Sequence, residues 1–367
     1  MRQKRGIINK VRIGAIGCGY WGPNLIRNCV EIPSISLEAI ADLDRERLEH
    51  IQTRYPGVPF ATTEYERLFD AGLDGVIIST PPETHFEIAR NCLEQGLHVL
   101  VEKPLTTTSA EARELISIAE KNDRILMVGH TFEFNPAVRA LKTMLDETEL
   151  GDIHYIDAVR VGLGLFHPRL NVIWDLAPHD ISILIHLLGE SPVSVTTTGT
   201  ACVQDGIEDV AYMTLTFPSG VLAHSRMSWL DPSKTRRITI VGSDKMAVYD
   251  DVEPLEKIKL YDKRVNAVRH TDTFGEFQFA YHYGSVISPY IRFDEPLRLE
   301  VLHFAESIMS GDTPLTDGYN GLRVLEVIEA AQQSLQNGGA PTLVNSQGHV
   351  VGSNGHAPVA VGTTGPQ

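Results

Sequence analysis

Gly17, Gly19 and Gly22 form a GxGxxG run that ends one apolar segment and opens a helical one. Each glycine has a separate task in a dinucleotide site: the first for a tight turn, the second for close approach of a pyrophosphate, the third for helix–strand packing. The helix N-terminus behind them attracts the anion. Tyr20 and Trp21 sit inside the loop and join the glycines as candidate cofactor contacts. The alternative is a tight strand–helix turn with no ligand. Against it, Asp42 closes the next apolar segment, twenty residues after Gly22, where a carboxylate can accept both ribose hydroxyls. That acid repels a 2′-phosphate and Leu43 offers it nothing. Arg45 and Arg47 read as solvated helix residues and Asp44 as a helix cap. The expected cofactor is NAD rather than NADP.

Two further groups could do chemistry. Thr80, Pro81 and His85 follow the apolar segment that begins at Asp74, and Glu102-Lys103-Pro104 ends the one that begins at Leu97. In open α/β sheets ligands lie beyond the carboxyl ends of strands, so both groups fall where a nicotinamide would sit. Taken alone, a strand-end lysine is more commonly a surface residue. Asp175 and His179 are four apart and share one face of a helix. A carboxylate beside an imidazole gives an oriented general base near neutral pH. The same spacing also suits a helix cap followed by a packed histidine. Asp180 and His186 read as structural. No HxH or HExxH spacing suggests a metal, and no GxSxG elbow or Cys–His pair suggests a nucleophile.

The elements that must position these residues follow from two periods. Apolar runs from Val11, Ile35, Asp74, Leu97 and Arg124 read as buried parallel strands. Helices over 24–29, 44–54, 83–94 and 109–122 lie between them, the last with Ser109 as its expected cap. This alternation predicts an α/β fold with an N-terminal Rossmann dinucleotide-binding domain, residues 1–130. An α+β domain, residues 131–340, follows. It has helices over 135–146, 175–188 and 320–336 and a large, mainly antiparallel open sheet from six strand-like runs after Val193. Residues 341–367 are rich in Gly, Pro, Ser and Thr without periodicity and read as a flexible tail.

The stretch TPPETHFEIARNCLEQGLHVLVEKPL, with the glycine motif and Asp42, resembles the signature of the Gfo/Idh/MocA oxidoreductases over roughly residues 10–340. The resemblance implies that Lys103 meets the substrate hydroxyl and the nicotinamide, and that the Lys103–Pro104 bond is cis. It implies a catalytic Asp175–His179 pair, with Asp175 orienting His179 as base. The run GLGLFHPRLNVIWDLAPHD is similar to that of family members oxidising nucleotide-linked or phosphorylated sugars at C3 ahead of an aminotransferase. Arg160, Arg169 and Asn171 are then candidate substrate contacts. Phe132 and Glu133 stand where many members have arginine. Relatives associate as dimers or tetramers through the flat sheet. Within the same fold, the alternatives are an inositol or polyol dehydrogenase, a keto-sugar reductase and a non-catalytic dinucleotide sensor.

Composition narrows the classes. Of 367 residues, 47 are acidic and 32 basic, a net charge of −15, which leaves no basic surplus for nucleic acid. Four scattered cysteines make no disulfide scaffold. No apolar run reaches membrane-span length. The basic MRQKRGIINK start lacks an apolar signal core, so the cytoplasm is the expected location.

Overall fold

The computed structural model describes residues 10–164, 166, 170–267 and 279–344. The chain begins with strand β1 (Val11–Ile16), helix α1 (Gly22–Glu31), β2 (Ile35–Ala41), α2 (Arg45–Arg54), β3 (Phe60–Thr62) and β4 (Gly75–Ile78). Then come α3 (Pro82–Glu94), β5 (His98–Glu102), α4 (Ser109–Lys121) and β6 (Leu126–Gly129). The strands form one parallel sheet in the order β3-β2-β1-β4-β5-β6. All four residues of β4 are buried, as a strand covered by helices on both faces requires. The order reverses between β1 and β4, which opens a crevice at their carboxyl ends. The glycine loop ends β1, Ser79 and Thr80 follow β4, and Lys103 follows β5.

The short strand β3 was absent from the sequence expectation. The cap of α4 also needs correction. Thr108, not Ser109, is the N-cap; its side chain accepts from the Glu111 amide, and Glu111 reaches back to complete a capping box. With Ser109 as the cap, Ala112 would fall where a capping box needs the acid.

Helix α5 (Pro136–Asp146) and strand β7 (Ile153–Leu163) lead to α6 (Val172–Leu188). Strands β8 (Ser194–Thr200), β9 (Val210–Thr216), β10 (Leu222–Ser228), β11 (Leu230–Gly242), β12 (Met246–Asp250), β13 (Ile258–Ala267) and β14 (Phe279–Ile287) follow. Helices α7 (Pro296–Ser310) and α8 (Gly318–Gln336) and a short β15 (Thr342–Leu343) complete the described chain. The second sheet runs β14-β13-β12-β11-β7-β10-β9-β8-β15. Only β7 and β10 pair in parallel. The N-terminal Rossmann domain and the mostly antiparallel second sheet are as the sequence predicts.

Helix α6 packs on the inner face of that sheet, with Ile173, Ala177, Ile181 and Leu184 in the same core as Met213, Leu215 and Met227. Helix α7, unread in the sequence, returns to the first domain, where Leu297, Val301 and Phe304 join Ile13, Leu25 and Ile26. Helix α8 lies between the two: Leu322 and Leu325 face the first core, while Val324 and Ile328 face the second. The start of the expected tail is ordered. Thr342 and Leu343 add an antiparallel edge strand to β8, and the Val344 amide bonds the Val193 carbonyl.

Candidate active site

The glycine loop is shaped partly by the protein and partly by a ligand. Gly17 adopts φ +100, and a Cβ there would come within 2.6 Å of the Ser79 carbonyl. At Gly22 a Cβ would fall 2.1 Å from the Gly17 carbonyl. Both glycines are therefore demanded by the turn itself. At Gly19 a Cβ would meet only the Arg47 guanidinium, at 3.5 Å. Nothing in the chain requires glycine there, whereas a pyrophosphate pressed against the backbone does. No side chain caps the first turn of α1, where Pro23 has no amide hydrogen and the Asn24 amide bonds the Trp21 carbonyl, so the anion falls to the Gly22 amide and the helix dipole. The loop therefore fits a dinucleotide.

Asp42 stands at the end of β2. Its carboxylate accepts from the Cys18 amide at 2.6 Å and the Asp44 amide at 2.8 Å. Asp44 caps α2, as expected. Arg47 is less detached than expected: its guanidinium lies 3.3 Å from Asp44 and 3.9 Å from Asp42. Cys18 is a buried filler whose thiol is pushed up to about 12 by burial. His85 is a tie rather than a cofactor contact. Its ring nitrogens lie 2.8 Å from the Pro104 carbonyl and 2.9 Å from the Thr80 carbonyl, and since burial lowers its pKa the neutral ring donates to one of the two. It fastens the segment after β4 to the one after β5. The Lys103–Pro104 bond is cis.

From the glycine loop a cleft of about 1160 Å³ runs to the second sheet, past Tyr20, Trp21, Thr80 and Glu102 to Lys103, Asp175 and His179. Lys103 Nζ donates to the Asp175 carbonyl at 3.0 Å and lies 3.6 Å from its carboxylate. The other carboxylate oxygen accepts from Trp229 Nε1 at 3.0 Å. Among the described residues Asp175 thus meets Lys103 and Trp229, not the His179 ring. The i,i+4 spacing gave the right helix and the wrong partner: in the first turns of α6 the carboxylate turns to β5 and β10's end rather than along the helix. His179 instead packs edge-on against Phe132, ring centroids 5.1 Å apart. Burial, then the Lys103 and Arg160 cations, hold its pKa well below the ordinary imidazole value. Glu102 is pushed up to about 7 by burial, with Lys103 opposing.

The expected substrate contacts divide. Asn171 is the N-cap of α6, and its amide donates to Glu208 and Gln332, both at 2.9 Å. It serves the fold and does not line the cleft. Arg160 lines the cleft but is buried and paired with Asp180 at 2.7 Å. Asp180 also accepts from Ser225, in keeping with its structural reading. Arg169 lies outside the described residues. Trp229 and a group around Arg236 were missed. The only signal for the latter was the alternation in Lys234-Thr235-Arg236, which puts two cations on one face of β11.

The model of the oxidoreductase family with an NAD-binding Rossmann fold, Gfo/Idh/MocA, matches residues 11–130. The Gfo/Idh/MocA C-terminal domain matches residues 138–248. The chain belongs to the Gfo/Idh/MocA family. It is 30% identical over 243 residues to UDP-N-acetylglucosamine 3-dehydrogenase of Acidithiobacillus ferrooxidans, covering 65% of this chain and 74% of that protein. The solved structure of that relative superposes with a TM-score of 0.74 at 26% identity, over 90% of this chain and 98% of the other. Myo-inositol 2-dehydrogenase of Thermotoga maritima is 27% identical over 347 residues, 89% of this chain and 96% of that protein. Scyllo-inositol 2-dehydrogenase (NAD(+)) of Bacillus subtilis is 26% identical over 342 residues, covering 90% and 95%. This member of the family is an NAD-binding oxidoreductase with sugar and polyol dehydrogenases among its relatives. No helix among the described residues is long and apolar enough to cross a membrane.

Proposed function

We propose that this protein oxidises a ring hydroxyl of a nucleotide-activated hexose, at C3, to the 3-keto sugar. The observation that carries the reading is one cleft joining the glycine loop to Lys103 and His179, and continuing to Arg160 and Arg236. NAD, when bound, accepts the hydride. The neutral His179 ring receives the hydroxyl proton. The Lys103 ammonium stabilises the negative charge that develops on the same oxygen. Asp175 acts on Lys103, fixing it through both its carbonyl and its carboxylate, and Trp229 fixes Asp175 in turn. Tyr20, Trp21, Thr80 and Glu102 border the cofactor end, whereas Pro81 is not among the residues that line the cleft. Binding energy from a remote nucleotide positions the carbinol. Similarity to the UDP-N-acetylglucosamine 3-dehydrogenase supports the substrate class.

Alcohol oxidation by NAD is uphill near neutral pH, so an enzyme consuming the ketone, an aminotransferase, is the natural successor. We place the reaction in the cytoplasm. The polyol reading is favoured by one observation, the longer span shared with the inositol dehydrogenases. The test is a panel of sugar nucleotides, sugar phosphates and inositols with NAD, NADH being reoxidised continuously. A higher kcat/KM for UDP-N-acetylglucosamine or another nucleotide sugar than for any inositol supports the proposal. The reverse order replaces it with polyol oxidation.

A further inference from the structure

Arg160 on β7 and Arg236 on β11 stand directly opposite each other across an antiparallel pair, on the face turned to the cleft. Like charges in that register repel. The fold keeps both, in a chain of net charge −15, and holds each with an acid from another element. Asp180 of α6 takes Arg160 through two nitrogens, leaving Nη1 buried without a hydrogen-bond partner. Asp251 stands 3.5 Å from Arg236. Its other oxygen accepts from Tyr249 at 2.8 Å and from Asn135 at 3.4 Å. Arg236 is thereby aimed while most of its donors stay available. Lys234, two residues earlier, and Lys257, held by the Asp251 and Glu253 carbonyls at 3.0 Å, complete the rim. Arg160 also lies over the Phe132 ring, 4.5 Å from its centroid, and His179 packs against the same ring, centroids 5.1 Å apart. One aromatic ring thus contacts both the cationic wall and the proposed base, within a single cleft.

We propose that Arg236, with Arg160 opposite and Lys234 and Lys257 at the rim, binds the phosphate esterified to the anomeric oxygen of the substrate. This rests on the sugar reading above and adds the group that selects an activated sugar over a free one. Guanidinium groups match phosphate oxygens in geometry and charge. Asp251 is the positioning residue for Arg236.

The test uses the full chain with NAD. Substrates are UDP-N-acetylglucosamine, N-acetylglucosamine 1-phosphate, N-acetylglucosamine and myo-inositol; isothermal titration with UDP is run alongside. Arg236→Gln should raise KM for the two phosphate-bearing substrates about 10- to 100-fold, the range for a lost hydrogen bond to a charged group. The kcat should change far less, and KM for the neutral compounds should stay the same. Arg236→Lys should restore part of the loss. NADH titration reports whether each variant is folded; should Arg236→Gln fail it, the double variant Lys234→Gln/Lys257→Gln carries the same expectation. An unchanged KM for both phosphate substrates overturns the proposal. If wild-type protein turns over only inositol, the sugar reading fails. UDP titration then decides the wall by itself: binding weakened by Arg236→Gln sustains it, and no binding overturns it.

Discussion

We expect Asp42 to select the cofactor at the level of a single carboxylate. Two backbone amides hold it against the glycine loop, and Arg47 stands behind it. Asp42→Ser should weaken NADH binding about tenfold, a lost charged hydrogen bond. It should also release Arg47 from one of its two acids and narrow the preference over NADPH, as read by fluorescence titration with both cofactors. An unchanged preference would remove the ribose argument. Lys103→Ala and His179→Ala should each lower kcat about 10²- to 10⁴-fold with NADH binding retained. Turnover near wild type would strip the residue of its role. Glu133 makes a different prediction. Burial pushes its carboxyl up to about 8, against Asn320 and Arg323. A folded pKa above the unfolded one gives stability that is complete below the ordinary carboxylate range and is lost as pH rises towards 8. Glu133→Gln should therefore lower the Tm loss between pH 6 and pH 9; an equal loss in both proteins would contradict it. Asp42 and Lys103 were legible because a strand end fixes where such a side chain goes. The partners of Asp175 were not, because Trp229 is 54 residues away and only the folded sheet brings it back.

The elements carry the site through their ends. Five of the six strands of the first sheet and the four helices between them could be read from period alone, because burial on both faces leaves continuous apolar runs. Helix α7 has a helical period at Leu297, Val301, Phe304 and Ala305, but its place against Leu25 and Ile26 depends on tertiary contact. The edge strand β15 was lost in a composition that favours loops. It bears on truncation. Ending the chain after Val344 keeps every described contact and should leave Tm and activity unchanged. Ending it after Ala340 removes the pairing with β8 and the Val344 bond, and should lower Tm by a few degrees in a thermal melt. Equal melting of the two truncations would mean that β15 contributes nothing.

At the scale of the molecule, residues from both sheets' domains line the cleft, in the proposed reading one side for the cofactor and the other for the substrate, and α8 packs against both domains. The second sheet buries one face under α6 and leaves the other bare, with Tyr155, Tyr212 and Leu222 exposed on adjoining strands. We expect this face, where Asp157, Thr214 and His224 lie among the apolar side chains, to be an association surface. We expect a homodimer or homotetramer in light scattering after size exclusion, and a smaller species from Tyr155→Asp/Leu222→Asp. A monomeric wild type, or a double variant of unchanged mass, would contradict this. Net charge and fold class were legible in composition and period. The cationic wall was not, because its two arginines come from strands 76 residues apart in the chain and face one another only through sheet register.

In the proposed reaction a hydride leaves C3 of an activated hexose for the cofactor in this cleft. Single-turnover reaction of UDP-N-acetylglucosamine carrying deuterium at C3, with NAD and the 367-residue chain, tests it directly. Proton NMR and mass spectrometry should find the deuterium on C4 of the reduced nicotinamide and a sugar nucleotide lighter by one deuterium and one proton. Reduced cofactor formed without deuterium, or label retained on the sugar while the enzyme turns over an inositol, would contradict the account.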